Sequence, residues 1–345
     1  MTGELRQSFG AEFTGAAGFL NSPTYGLPPT FLVDELSGII AGWQAGTMDV
    51  PAFDEPVRRA RAAYASLVGV PSDSVAMGGS VSAMLGLVAA AIPDGASVAT
   101  LAGEFTSTTF PFAAQVGRGV SLTEMTPDAL VATASDYDVV TASLVQSADG
   151  RVLDVDALRA GLAGANTVTV IDVTQAVGWK RLDLGWVDVT AAAVYKWLLA
   201  PRGTAWMSLS DKISRLMTPH AANWYAGEAP WSTIYGLPLR LAPDARRFDT
   251  SPAWFGVLGS GLTLPWLASL DGAAVEAHCL GLANRLRTEL DLPPSDSAII
   301  SIPTAASDEL GRAGLRASIR AGAVRVGFHL YNTEDDLDRL LDVLR

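Results

Sequence analysis

Residues 170–207 read VIDVTQAVGWKRLDLGWVDVTAAAVYKWLLAPRGTAWM. An apolar, β-branched run closes on one carboxylate, Asp172, and a second run of small residues closes on one lysine, Lys196. Runs without polar alternation are strands covered on both faces, as in a parallel sheet clothed by helices. A charged residue ending such a strand emerges at the carboxyl edge, where open α/β sheets hold their ligands. Lys196 has Val194 and Tyr195 before it and Trp197, Leu198 and Leu199 after it. Burying an unpaired ammonium costs several kcal/mol, so these flanks ask what the lysine does.

Each residue has a structural and a chemical reading. Asp172 suits a helix N-cap, worth roughly 1 kcal/mol, or a carboxylate that holds a cationic ring nitrogen. Lys196 suits a snorkelling side chain, or an amine whose pKa is lowered until it attacks carbonyls. A lysine that forms a Schiff base, paired with an aspartate on a pyridine nitrogen, is the arrangement that pyridoxal 5'-phosphate chemistry uses.

Outward from this stretch the same alternation continues. Strand-like runs near 97–102, 138–145 and 167–172, separated by amphipathic stretches, predict βαβ units and a largely parallel sheet with helices on both faces. After Pro252 the pattern changes: 255–270 and 273–290 read as helices, SAIISI and AVRVGF as strands. TEDDLDRLLDVL reads as a closing helix with Thr333 as N-cap and acids in its first turn. The expectation is an N-terminal arm and large cofactor-binding domain over 1–259, and a smaller α+β domain over 260–345 with which the arm is a candidate to pack.

Composition removes several function classes. The chain has 345 residues, 49% of them apolar, and a mean hydropathy of +0.26, enough for a large core. Net charge is −12 and the isoelectric point about 4.7, which disfavours nucleic acid, whose phosphates need a basic face. No uncharged apolar run is long enough to span a bilayer, and the opening MTGELRQSFGAEF lacks a signal-peptide pattern. A soluble, cytoplasmic protein is expected. Cys279 is the only cysteine, and the three histidines (His220, His278, His329) have no paired spacing, so neither a disulfide nor a metal site is expected.

The ordered motifs resemble the class V aminotransferase, or cysteine-desulfurase-like, family of fold type I pyridoxal-phosphate enzymes. That family's pattern is an apolar strand, D-x-x-Q-x-x-G, a vD step and x-K-W-L-x-x-P-x-G. It falls here on Asp172, Gln175, Gly178, Asp188, Lys196, Trp197, Leu198, Pro201 and Gly203. Other segments follow in the expected order, so the resemblance covers most of the chain.

The resemblance implies roles residue by residue. Lys196 and Asp172 would be catalytic. In GGSVSAM (78–84) Ser80, with the amide of Val81, would open a helix onto the cofactor phosphate; the plain alternative is an ordinary N-cap. Phe105, in GEFTSTTFPF (103–112), would lie on the pyridine face, or else be core. Gln175 would meet the phenolic oxygen and Tyr195 the phosphate. RRFDTSP (246–252) would reach across a homodimer, with the active sites at the interface, to the partner's phosphate through Thr250 or Ser251. Arg325, in AVRVGFHLYNTEDDLDRLL, would grip the α-carboxylate of an amino-acid substrate as an arginine fork does; its alternative is an outward arginine on an edge strand. Asn21 (in GFLNSPTYGLPP, 18–29), Ser147 and Arg202 complete the substrate set, with a solvent-facing loop position as the alternative for Arg202. Tyr25, Trp179, Trp224 and Tyr225 are candidates for shaping the side-chain pocket.

Two departures stand out: Ala193 replaces a serine common three residues before the lysine, and T-S replaces G-T before Pro252. Cys279, in VEAHCLGLANRL, falls on the apolar face of a helix, where cysteine is a small hydrophobe rather than a persulfide carrier. The implied chemistry proceeds through a Schiff base of the substrate and a Cα carbanion. The favoured fate is β-elimination, C–S lyase-like, on a sulfur-substituted cysteine. An aminotransferase or epimerase is the alternative, and a non-catalytic scaffold of the same fold the rival from another class.

Overall fold

A computed structural model describes residues 5–304 and 306–345. The first residues of MTGELRQSFGAEF therefore lie outside the described residues. A hairpin of β1 (Leu5–Ser8) and β2 (Ala11–Thr14) precedes helices α1 (Thr30–Ala45) and α2 (Asp54–Val68). Then strands and helices alternate: β3 (Val75–Gly78), α3 (Val81–Ala91), β4 (Ser97–Leu101), α4 (Thr106–Ala113), β5 (Ser121–Met125), α5 (Pro127–Thr133), β6 (Val139–Ser143), α6 (Val155–Gly161), β7 (Val168–Asp172), β8 (Val189–Ala193), β9 (Ala205–Leu209) and α7 (Asp211–Leu216). The strand runs expected near 97–102, 138–145 and 167–172 are β4, β6 and β7, each a residue or more shorter.

The seven strands form one sheet in the order β3-β9-β8-β7-β6-β4-β5. From β5 to β8 all neighbours are parallel; β9 runs antiparallel to β8, and β3 antiparallel to β9. Six strands, all but β9, thus end on the same edge. Burial on both faces explains the unbroken apolar runs. In β7, Ile171 joins the core beneath α2, α6 and α8 (Trp254–Ser269), while Val168 and Val170 join the core beneath α3 and α7.

Beyond α8 come α9 (Gly272–Glu289), β10 (Ile299–Ile302), α10 (Ser307–Arg312), β11 (Ser318–Arg320), β12 (Ala323–Gly327) and α11 (Glu334–Leu344). The three strands make an antiparallel sheet, β10-β12-β11, covered by Leu282 and Leu286 of α9 and Leu337, Leu340 and Leu341 of α11. Thr333 caps α11 through a reciprocal box with Asp336. Because β11 pairs on its far side, Arg325 lies on the middle strand, and the edge-strand alternative for it is wrong.

The N-terminal arm packs with this unit: Leu20 enters its core, and Phe19 and Asn21 form bridges to Arg316 and Gly327. The division at residues 259 and 260 is proposed on these grounds, with position 260 lying inside α8, which runs along α2. Two glycines fix where the arm and the lysine loop meet. Gly26 donates its N–H to the Tyr195 carbonyl at 2.9 Å, and a Cβ there would overlap the Lys196 carbonyl. Gly178 has φ +106, and a Cβ would strike the Trp197 carbonyl.

Candidate active site

The carboxyl ends of β3, β4, β6, β7 and β8 surround a cavity of about 160 Å³. β7 delivers Asp172, 5% exposed, onto its floor. Its Oδ1 accepts the Thr174 N–H at 2.8 Å and its Oδ2 the Thr108 hydroxyl at 3.3 Å. Burial raises the carboxyl pKa, while these hydrogen bonds and the charge of Lys196 favour the anion. A cation placed against it would complete the compensation that burial removes.

The loop after β8 delivers Lys196, 7% exposed, with Nζ 5.4 Å from the Phe105 ring centroid and 5.9 Å from that of Tyr195. Burial pushes its amine down to about 8; Asp172 opposes the shift, and Arg325, Arg320 and Arg202 add to it. A neutral amine is the form that attacks an aldehyde. Capture of pyridoxal phosphate by the unloaded protein is therefore expected to quicken as pH rises, half-maximal near pH 8, read by stopped-flow absorbance. The unfolded lysine keeps its proton up to its ordinary pKa of 10.5, so the unloaded fold gains stability as pH climbs above about 8.

At the other end α3 presents its first turn. Ser80 is the N-cap, its Oγ accepting the Ala83 N–H at 3.3 Å, while Val81 and Ser82 line the cavity beside it. The N-cap reading of Ser80 is observed, and it is compatible with the other, since a capped helix start still offers free amides to an anion. A Cβ on Gly79 would meet only the Gly203 carbonyl, at 3.9 Å, so packing does not require a glycine there. Thr204 lines the same space, but its hydroxyl is buried against Gly256 of α8, without a partner. Arg202 also lines it, its guanidinium 5.0 Å from the Tyr195 ring, while the residue stays exposed, so the loop alternative is compatible with a place at the cavity's rim. Helix amides and an arginine at one end, with an amine and a carboxylate at the other, fit a phosphorylated pyridine aldehyde.

Ser80, Val81, Phe105, Ser147, Asp172, Gln175, Tyr195, Lys196 and Arg202 all meet in this cavity. Phe105 is 47% exposed, so the core alternative for it fails. Gln175 is held at both ends: Nε2 donates to the Pro23 carbonyl and the Ser147 hydroxyl, and Oε1 accepts from Trp197. Arg325, 1% exposed, stands behind Ser147, donating to its carbonyl and hydroxyl and to the Thr24 hydroxyl. Its Nε has no partner, and among the described residues no carboxylate forms an ion pair with it. Burial pushes the guanidinium down to about 10.

Other expected residues lie elsewhere. Asn21 is half-buried on the arm, outside the cavity lining, with its Oδ1 unpartnered. Thr250 and Ser251 do not line this chain's cavity; Thr250 donates its N–H to Met77. The aromatic candidates for the side-chain pocket are corrected: Trp179 is buried against Trp197, Tyr225 bonds to Asp54, and neither Tyr25 nor Trp224 reaches the cavity. Cys279 is buried in α9, where desolvation drives its thiol pKa up. Among the described residues no cluster of metal-binding side chains occurs and no helix is long and apolar enough to cross a membrane.

Three residues escaped the motif reading. Thr108 and Thr174 hold Asp172. Glu104 accepts from the Ser143 amide and hydroxyl, each at 2.7 Å, and from the Phe105 amide at 2.8 Å, and so anchors the turn that carries the Phe105 ring. Glu104 heads the segment that carries Phe105, yet nothing local tells a buried acceptor from a surface acid.

The family model described as "Aminotransferase class-V" matches residues 53–305. An uncharacterised aminotransferase of Bacillus subtilis (strain 168) is 25% identical over 225 residues, 60% of this chain and 59% of the relative. Isopenicillin N epimerase of Streptomyces clavuligerus is 25% identical over 259 residues, 64% of this chain and 63% of the relative. The matches thus span about 60% of the length of these curated relatives. Among solved structures, a cystine C-S lyase in complex with its reaction product, cysteine persulfide, superposes with a TM-score of 0.80 at 16% identity, covering 95% of this chain and 97% of the other.

Proposed function

This chain belongs to the aminotransferase class-V family of pyridoxal-phosphate enzymes, and from that premise we propose that it cleaves the Cβ–S bond of a sulfur-substituted cysteine by β-elimination. The observation that carries the reading is the cavity itself: a buried amine and a buried carboxylate face one space, with a buried arginine lacking a counter-anion behind it. A non-catalytic scaffold has no use for that costly arrangement.

Pyridoxal phosphate, when bound, supplies an electron sink that makes the amino acid's Cα proton removable. The phosphate would rest on the first turn of α3, with Ser80, Tyr195 and Arg202 as side-chain partners. Asp172 would keep a proton on the pyridine nitrogen, and Phe105 would cover the ring. Arg325 would take the substrate carboxylate with Nε and the terminal nitrogen now lent to Thr24, which orients the Cα–H bond toward Lys196. Lys196 Nζ, largely neutral above about pH 8, would accept that proton. The buried, remote Cys279 favours elimination over sulfur transfer through a protein persulfide.

A second fate for the same Cα charge, transamination or epimerisation, has the support of the two curated relatives. Homodimerisation, with Thr250 or Ser251 offered to a partner's phosphate, and a cytoplasmic location complete the proposal. The test is product analysis with L-cystine and S-alkyl-L-cysteines. Pyruvate and ammonia are expected, together with a yellow protein that borohydride labels on Lys196. A keto acid that retains the substrate side chain, or the D-amino acid, would replace elimination by the second reading. A protein that takes up no pyridoxal phosphate would overturn both.

A further inference from the structure

The register of the small sheet puts a second arginine beside the first. Ser318 of β11 pairs with Arg325 of β12, and Arg320 pairs with Ala323. Pleating then sets Ser318, Arg320, Ala323 and Arg325 on one face, with Arg320 the diagonal neighbour of Arg325, about 7–8 Å away. The row grades from inside to outside: Arg325 is buried, Ser318 half-buried and Arg320 exposed. Ala323, opposite Arg320, leaves that end of the row open.

This row holds donors without acceptors. Arg325 Nε and the Ser318 hydroxyl are buried and unpartnered. Arg320 donates to its neighbour's carbonyl at Ile319 and forms no ion pair among the described residues. Both arginines are near enough to Lys196 to help hold its amine down. On a chain of net charge −12, Lys196 and Arg202 line the cavity, and Arg320 and Arg325 lie outside its lining but within electrostatic reach of Lys196, against two buried carboxylates, Asp172 and Glu104. A cofactor phosphate answers Arg202, and a substrate α-carboxylate answers Arg325. Nothing yet answers Arg320.

We propose that Arg320 reads a second anionic group on the substrate's side chain, so that the natural substrate is an amino acid with a distal carboxylate or other oxyanion. The inference rests on the reading of the cavity as an amino-acid site with Arg325 on the α-carboxylate. For an elimination it means that the departing thiol carries the distal anion away with it.

The test uses an isosteric pair, S-carboxymethyl-L-cysteine and its uncharged amide, S-carbamoylmethyl-L-cysteine. Affinity is read by calorimetry and, in the loaded enzyme, by visible absorbance, so the answer does not depend on turnover. The carboxylate is expected to bind at least about tenfold more tightly than the amide, the preference shrinking as salt rises. Arg320→Gln should erase most of that preference, Arg320→Lys should retain part of it, and Arg59→Gln, an equal charge change at an exposed position of α2, should leave it intact. Equal binding of the two compounds by the unaltered protein, or an equal loss of both in Arg320→Gln, would overturn the proposal. A protein that takes up no pyridoxal phosphate would defeat the proposed function instead, and the calorimetric ratio on the unloaded protein would still decide for or against Arg320.

Discussion

Lys196→Ala is expected to lower turnover by about 10²–10⁴-fold, the range that follows loss of a positioned general base, and to abolish borohydride labelling of the protein. Asp172 and the first turn of α3 stay in place, so the variant should still bind pyridoxal phosphate, reversibly and without the yellow protein-bound absorbance. Stability should hold or rise, because the substitution removes a buried ammonium whose nearest anion is itself poorly solvated. Steady-state kinetics, absorbance spectra and thermal melts of one preparation check all three. A variant that turns over as the parent does would move the chemistry away from this lysine.

The largest expected loss of stability lies outside the cavity. Asp249 is buried and accepts from the Arg61 guanidinium at 2.5 Å and from the Met77 amide at 2.7 Å. Arg61 also donates to the Val75 carbonyl. The pair thereby ties the edge strand β3, and the turn after it, to α2. Asp249→Ala leaves a buried guanidinium unpaired and should cost about 3–5 kcal/mol in urea unfolding. Cofactor affinity should fall as well, since Gly79 and Ser80 follow directly on β3. Substitution of Arg61 and Asp249 together by apolar residues should recover much of the loss, because it removes both desolvated charges.

The sequence made the strands that carry Asp172 and Lys196 readable, because a five-residue strand covered on both faces leaves a charged residue nowhere to go except its end. Ser80 and Phe105 were legible for a similar reason: each stands at a junction between a strand and a helix. Thr108 and Thr174 were not, since the bond from Thr108 to Asp172 joins residues 64 positions apart and exists only once β4 and β7 flank β6. Arg325 was found, yet its neighbourhood was not, because β11 is three residues long and too short to show a period. The aromatic residues proposed for the side-chain pocket fail for a plainer reason: proximity to a motif along the chain says nothing of which way a ring turns. Trp179 follows the Gln175 segment but faces Trp197, away from the cavity.

The arginine proposed to meet the substrate carboxylate also has a consequence in time. Arg325 reaches back to Thr24 and Ser147, so the site joins segments made early and late on the ribosome. A nascent chain can fold its seven-stranded sheet and acquire its lysine and aspartate well before residue 325 emerges, since synthesis adds roughly 5–20 residues per second. For those seconds it can hold an aldehyde cofactor while lacking the arginine proposed to select what reacts with it.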